Sequence, residues 1–388
     1  MTTTSQPTTV PPPLPPVRLI ATGEQLRRAV EMMAKETLIA VDTESNSLYA
    51  YQERVCLIQI STRTQDLIID PFLIRDMSPL APIFADPSIE KVFHAATYDL
   101  MTMKRDYGFT FVNLFDTLIA ARICGVKLIG LNNLVSLVVG IELDKSHQRD
   151  NWGARPLSAN SLRYAQADTH YLPRLRDYFV ERLTELDYWK EAHETFNDLV
   201  HLPASVHQFD PDGFWRLGKP QRLKPRQMAV LREVYLWREE QAKRANTPPF
   251  KIVQDKSLVA VASMLPTTLD ALAKAEGLSA ALVRRYGDAL LKAVQRGNQA
   301  DLPKQPVQEP PPDPFVVEVY TALREWRKGR AETRGVEADV IIAREALWSL
   351  AEQMPLNLDA MRDIPGLGEW RQQVYGEELL AVLNRFKK

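Results

Sequence analysis

The chain has 388 residues, with 48 Lys and Arg against 49 Asp and Glu and a formal net charge of −1. Hydrophobic residues make up 45% and charged residues 25%, an ordinary globular composition that excludes disorder along the whole chain; the length suits two or three domains. Two cysteines are too few for a disulfide framework. There is also no run of 18 uninterrupted apolar residues and no secretory pattern, so a cytoplasmic chain with no membrane or disulfide partner is expected.

In chain order, residues 1–16 are proline-rich and predict a disordered or extended tail. The runs LIAVDTE (38–44), RVCLIQIS (54–61) and DLIIDP (66–71) predict consecutive strands, and KVFHAA (91–96) a shorter fourth. Helical periodicity covers 24–36, 98–107, 117–124, 131–139 and 161–185. Three neighbouring strands followed by alternating strands and helices imply a mixed sheet covered by helices, an α/β domain over 17–203. Helical patterns resume over 220–298, a proline-rich linker spans 299–314, and a further helical block fills 315–388.

The two helical blocks are copies of one unit. At a constant offset of 89 residues Trp237 matches Trp326, Pro266 matches Pro355, Leu269 matches Leu358, Gly277 matches Gly366, and Tyr286-Gly287 matches Tyr375-Gly376. That period exceeds those of solenoids and predicts tandem small domains. Residues 218–297 hold 15 Lys and Arg against 7 Asp and Glu, a net of +8, whereas 315–388 are near neutral. A basic middle block beside an acidic first block suits a division between phosphate binding and metal binding.

The chemistry gathers in the first block. Asp42 and Glu44 lie two apart on one strand, so both carboxylates face the same way. Such a pair is either a solvated strand end or a site for a hard cation with oxygen ligands. Asp99 opens a helix, where an acid also complements the helix dipole. Tyr164 and Asp168 are four apart and stack on one helix face, as a structural tyrosine would too. Together, four acids from a strand and two helices can hold two divalent ions. One such ion makes hydroxide from water and the other steadies a leaving 3′ oxygen, while a tyrosine hydroxyl orients the water.

VDTE (41–44), HAATYD (94–99) and YAQAD (164–168) resemble the three motifs of the ribonuclease D family, in the branch whose third motif carries Tyr four residues before its last Asp. LDKSHQRDNW (143–152) followed by RPLS (155–158) resembles the segment that precedes that motif, and the 89-residue repeats resemble helicase-and-ribonuclease-D C-terminal (HRDC) domains. The resemblance covers about 20–386. It implies an RNase H-like exonuclease fold followed by two all-α HRDC domains. Two divalent ions, Mg²⁺ or Mn²⁺, would be held by Asp42, Glu44, Asp99 and Asp168, with Tyr164 positioning the nucleophilic water. The implied activity is hydrolytic 3′–5′ removal of nucleoside 5′-monophosphates from RNA with a free 3′ end, including tRNA precursors and other structured RNA, by a monomer. The second motif reads HAATYD where the family often shows HAGSxD, and DN stands where SD is frequent before Trp152.

Other residues carry two readings. His94 either closes a buried strand or reaches substrate, and Cys56 reads as core. Asp116 reads as the N-cap of the helix after it. Lys145, Gln148, Arg149 and Trp152 either line a substrate groove, cations on phosphate and Trp on a base, or are held by the fold. Lys219, Arg222, Lys224, Arg226, Arg284 and Arg285 build the positive field, for RNA backbone or as a solvated face. The same metal chemistry would serve a DNA-directed exonuclease. A catalytically inert RNA-binding adaptor would be marked by a missing ligand, and none of the four acids or the tyrosine is missing.

Overall fold

A computed structural model describes residues 14–206, 208–217, 223–306 and 310–387. Residues 1–13 of the tail expected over 1–16, Lys219 and Arg222 of the basic field, and linker residues 307–309 lie outside the described residues. The chain divides into two compact units. One comprises residues up to 44, 55–205 and 310 onward; the other comprises 45–54 and 206–309.

In the first unit a six-stranded mixed sheet is built from β1 (Arg18–Ile20), β2 (Leu38–Ser45), β3 (Val55–Ser61), β4 (Asp66–Ile69), β5 (Glu90–Phe93) and β6 (Leu114–Asp116). Their order is β1-β4-β3-β2-β5-β6, with β1 parallel to β4, β3 antiparallel to β4, and β5 parallel to both β2 and β6. Every residue of β3 and β4 is buried, as expected for strands covered on both faces. β2 is buried over its first four residues and then emerges, carrying Asp42 and Glu44 to the rim.

Among the described residues, the sheet is interleaved and followed up to residue 205 by α1 (Gly23–Met33), α2 (Ala81–Ala85), α3 (Thr97–Tyr107), α4 (Thr117–Ile123), α5 (Leu131–Val139), α6 (Ala159–His170), α7 (Leu172–Glu185) and α8 (Trp189–Val200). The helix expected over 161–185 is two, α6 and α7, because Pro173 has no N–H to continue the ladder across Tyr171. The three-residue strands β1 and β6 add to the four expected.

The second unit packs α9 (Pro225–Ala245), α10 (Pro249–Ile252), α11 (Asp255–Met264), α12 (Leu269–Leu272) and α13 (Ala280–Gln299) around Leu231, Val234, Trp237, Leu258 and Leu290. A Cβ on Gly297 would collide with the Val230 backbone, so only glycine lets α13 lie this close to α9. The chain then returns to the first unit with α14 (Pro314–Arg334), α15 (Ala338–Ile341), α16 (Arg344–Gln353) and α17 (Glu369–Leu383).

The repeat seen in sequence is a repeat of contacts. Trp237 meets Tyr286 edge-on at 5.6 Å, and Trp326 meets Tyr375 edge-on at 5.6 Å. Leu265 and Met354, 89 apart, both end a helix in the left-handed conformation. Gly287 lies under Leu269 as Gly376 lies under Leu358.

Within the first unit a buried ion cluster joins α14 and α17 to the exonuclease helices. Glu191 of α8 is fully buried and accepts from both terminal nitrogens of Arg334 (2.5 and 3.1 Å), with Arg371 at 3.7 Å. Glu194, one turn on, accepts the N–H groups of Glu369 and Trp370 at the start of α17. No helix among the described residues is long and apolar enough to cross a membrane.

Candidate active site

The acids at the rim of β2 meet those of α3 and α6. Asp42, Glu44 and Asp168 each offer a carboxylate oxygen, and these oxygens lie within 4.8 Å of one another. Asp99 stands beside them, 7% exposed in the first turn of α3. Its Oδ1 accepts both the backbone N–H and the hydroxyl of Thr43. Thr43 is a site residue that the sequence reading passed over; its signal was a hydroxyl set between two acids in VDTE.

Like charges brought together out of water resist ionisation. Burial first, then the charges of Asp99, Asp168 and Glu44, push Asp42 well above the carboxylate range. Burial and the neighbouring acids raise Glu44 to about 9. Asp99 and Asp168 are each pushed up to about 7, again chiefly by burial, against hydrogen bonds from Thr43 and Tyr164 respectively. Tyr164 donates its hydroxyl to Asp168, one turn away on α6. Burial and the acids beside it hold the phenol above its ordinary range, so it stays protonated. A set of hard oxygen donors that cannot all be charged by themselves fits divalent cations.

The second motif is anchored from β6. Asp116, 1% exposed, accepts N–H groups from Leu118 and Ile119, which is the N-cap expected of it. It also accepts those of Ala95 and Ala96. These bonds stabilise Ala95 at φ 63°, a turn unusual for alanine, which starts α3 and so sets Asp99. His94 contacts Thr117 through Nδ1 (2.9 Å).

The loop before α6 is held by Arg155. Its guanidinium makes paired bonds to Asp70 (2.6 and 2.9 Å) and also donates to the carbonyls of Cys56 and Trp152. Trp152 departs from the expectation that it stacks on a base. It is 2% exposed and packs with Cys56, Leu57, Ile68 and Ala165 behind Tyr164, because Arg155 draws the loop down onto the sheet. Lys145, Gln148 and Arg149 are exposed. His147 bonds Asp150, which also accepts from Ser161 of α6. A cavity of about 350 Å³ opens beside Tyr164, lined by Leu143, His147, Arg163 and Tyr171 among others.

The 3′–5′ exonuclease family model matches residues 17–184, and the HRDC domain model matches 227–294 and 317–383. Fold and site thus define a 3′–5′ exonuclease with an RNase H-like catalytic domain and two HRDC domains. Ribonuclease D of Gluconacetobacter diazotrophicus is 32% identical over 375 residues, 94% of this chain and 92% of that protein. Among solved structures, Escherichia coli RNase D, described as an exoribonuclease involved in structured RNA processing, superposes with a TM-score of 0.68 at 27% identity, covering 96% of this chain and all of that one. The catalytic core of RRP6 from Trypanosoma brucei gives 0.67 at 33% identity, over 74% of this chain and 81% of that one. The chain belongs to the ribonuclease D family and is a 3′–5′ exoribonuclease. The exonuclease fold implies dependence on divalent metal, and the acidic cluster is the matching feature of this chain.

Proposed function

We propose that the chain hydrolyses single nucleotides from RNA 3′ ends, releasing nucleoside 5′-monophosphates, at a centre formed by Asp42, Glu44, Asp99, Asp168 and Tyr164. The observation that carries this is the convergence of three carboxylates within 4.8 Å, with the charge of Asp99 acting on Asp42 and Glu44 and Tyr164 bonded to Asp168. The four acids would hold two divalent ions, Mg²⁺ or Mn²⁺. Bound there, such ions supply a water acidic enough to attack at neutral pH and positive charge for the leaving oxygen.

The chain's own residues do the rest. Thr43 fixes one oxygen of Asp99, and Asp116 fixes the turn before it. Tyr164, kept protonated, orients the attacking water by hydrogen bonding and does not abstract its proton. Lys145, Gln148 and Arg149, exposed on the loop before α6, contact the RNA backbone, and the basic first repeat adds sequence-independent phosphate binding. The second repeat is architectural. The substrates are tRNA precursors and other structured RNAs with free 3′ ends, processed by a cytoplasmic monomer.

Chromatography of the products from an RNA digested with Mg²⁺ tests this reading. Nucleoside 5′-monophosphates should appear with wild type and be reduced at least about 10³-fold with Asp42→Asn, which loses charge but keeps shape. Nucleoside 3′-monophosphates, or an Asp42→Asn variant as fast as wild type, would contradict it.

A further inference from the structure

The two repeats pack their tryptophans alike but satisfy them differently. Each indole meets its tyrosine edge-on at 5.6 Å, at 77° in the first repeat and 76° in the second. The arginine after each donates to the equivalent carbonyl, Arg238 to Val253 and Arg327 to Ile342, so the two indoles point their N–H groups in corresponding directions. In the second repeat that N–H, on Trp326, donates to Glu378 of α17 (2.8 Å), which Arg330 of α14 also holds (2.6 Å). At the offset of 89 residues Ala289 stands in place of Glu378, and Gln241 in place of Arg330. Trp237, 4% exposed, keeps a buried N–H with no acceptor among the described residues. A buried donor left unbonded is costly, and a buried indole N–H usually has a partner.

The missing carboxylate leaves an opening. Trp237 and Ala289 line a cavity of about 560 Å³ within the second unit, together with Lys243, Arg244, Lys292 and Arg296. Three acids share its wall, and each is already matched: Glu233 with Arg296 (3.2 Å), Glu239 with Lys243 (3.8 Å) and Glu240 with Arg244 (3.7 Å). Lys292, exposed and three residues after Ala289 on α13, pairs with no acid among the described residues. The second repeat has Ala381 at that position. Relative to its copy, the site has lost a resident carboxylate and gained a cation. It lacks an acceptor for the indole and a negative charge for Lys292, and the two free oxygens of one phosphodiester supply both.

We propose that this cavity beside α9 and α13 holds a backbone phosphate of the RNA, with Trp237 donating its N–H to one oxygen and Lys292 neutralising the other, where the second repeat has the built-in carboxylate of Glu378. The proposal names one site within the phosphate binding ascribed above to the first repeat, and it rests on that reading. RNA is favoured over a protein carboxylate because residues 218–297 carry a net charge of +8 and the substrate of the enzyme is a polyanion.

The test uses the full chain in chelator, so that RNA is bound and not cut, and reads the fluorescence anisotropy of a labelled single-stranded RNA. Ala289→Glu restores the carboxylate of the second repeat and should weaken binding about tenfold. Gln295→Glu, an added negative charge at an exposed position of the same helix, should weaken it no more than about twofold, since exposed charges are screened. Lys292→Ala should lower the slope of log affinity against log salt by about 0.7, the worth of one single-stranded phosphate. Ala289→Glu no weaker than Gln295→Glu overturns the proposal, as does an unchanged slope in Lys292→Ala. The indole N–H resonance of Trp237, assigned by its absence in Trp237→Phe, gives a direct readout: RNA should shift it in wild type and leave it in place in Ala289→Glu. A shift with inorganic phosphate and none with RNA assigns the site to a free anion and overturns the RNA contact. If Ala289→Glu or Trp237→Phe fails to fold by circular dichroism, the exposed Lys292→Ala decides the question. The double change Arg284→Ala with Arg285→Ala separates the two readings. If it weakens binding while Ala289→Glu matches its control, the site alone fails; if neither alters binding, the first repeat does not hold RNA and both fail.

Discussion

At the scale of single residues, Tyr164 and Asp168 show how position assigns chemistry. A phenol surrounded by carboxylates is held above its ordinary range and is a poor base, yet its hydroxyl already points at a site carboxylate. Tyr164→Phe should therefore slow single-turnover cleavage by roughly 10²-fold while divalent-ion affinity changes little, as expected for loss of a positioning contact. Calorimetric titration beside quench-flow kinetics would show it, and an unchanged rate would make Tyr164 a packing residue. Glu44 gives a second test, in the metal-free protein. Its acid is raised to about 9 when folded. Below the ordinary carboxylate range both folded and unfolded chains hold this proton, and folding carries no penalty. As pH rises toward 9 the unfolded chain ionises more readily, so stability is lost across that window. In chelator, Glu44→Gln should raise Tm relative to wild type at pH 8 but not at pH 4. Wild type equal to or above the variant at pH 8 would contradict the repulsion described here.

Elements were legible where pattern and chemistry coincided. LIAVDTE declared both a buried strand and an acidic rim, because alternation fixes which side chains share a face. The tandem repeat was legible because it preserved the contacts that pack each copy, Trp237 on Tyr286 and Trp326 on Tyr375. The strands β1 and β6 were not, since three residues carry too little periodicity. Trp152 kept two readings in the sequence because its burial depends on Arg155 reaching Asp70, 85 residues away. The joint between α8 and α14 was equally hidden, as Glu191 and Arg334 look like ordinary charged helix residues until the fold brings them together across a separation of 143 residues. Arg334→Ala should cost about 3 kcal/mol by leaving Glu191 buried with a weaker partner, and the double change Arg334→Met with Glu191→Gln should recover much of it. Thermal melting of wild type, Arg334→Met, Glu191→Gln and the double variant closes that cycle; an Arg334 single variant as stable as wild type would mean that the cluster is not holding the joint.

Across the whole molecule, charge and architecture divide the work. The carboxylates gather in the unit that contains the sheet, the basic surplus lies in the first repeat, and the near-neutral second repeat belongs to the sheet's own unit. That division suits an enzyme that holds a polyanion with one surface and hydrolyses its end at another. The central claim is tested most directly by a time course on a 5′-labelled RNA with a single-stranded 3′ tail, with Mg²⁺, with Mn²⁺ and in chelator, beside the same sequence as DNA. The account predicts a ladder on RNA that shortens from the 3′ end one nucleotide at a time, requires either ion, and is markedly slower on DNA. Shortening that persists in chelator, cleavage at internal positions, or digestion of DNA alone would contradict it.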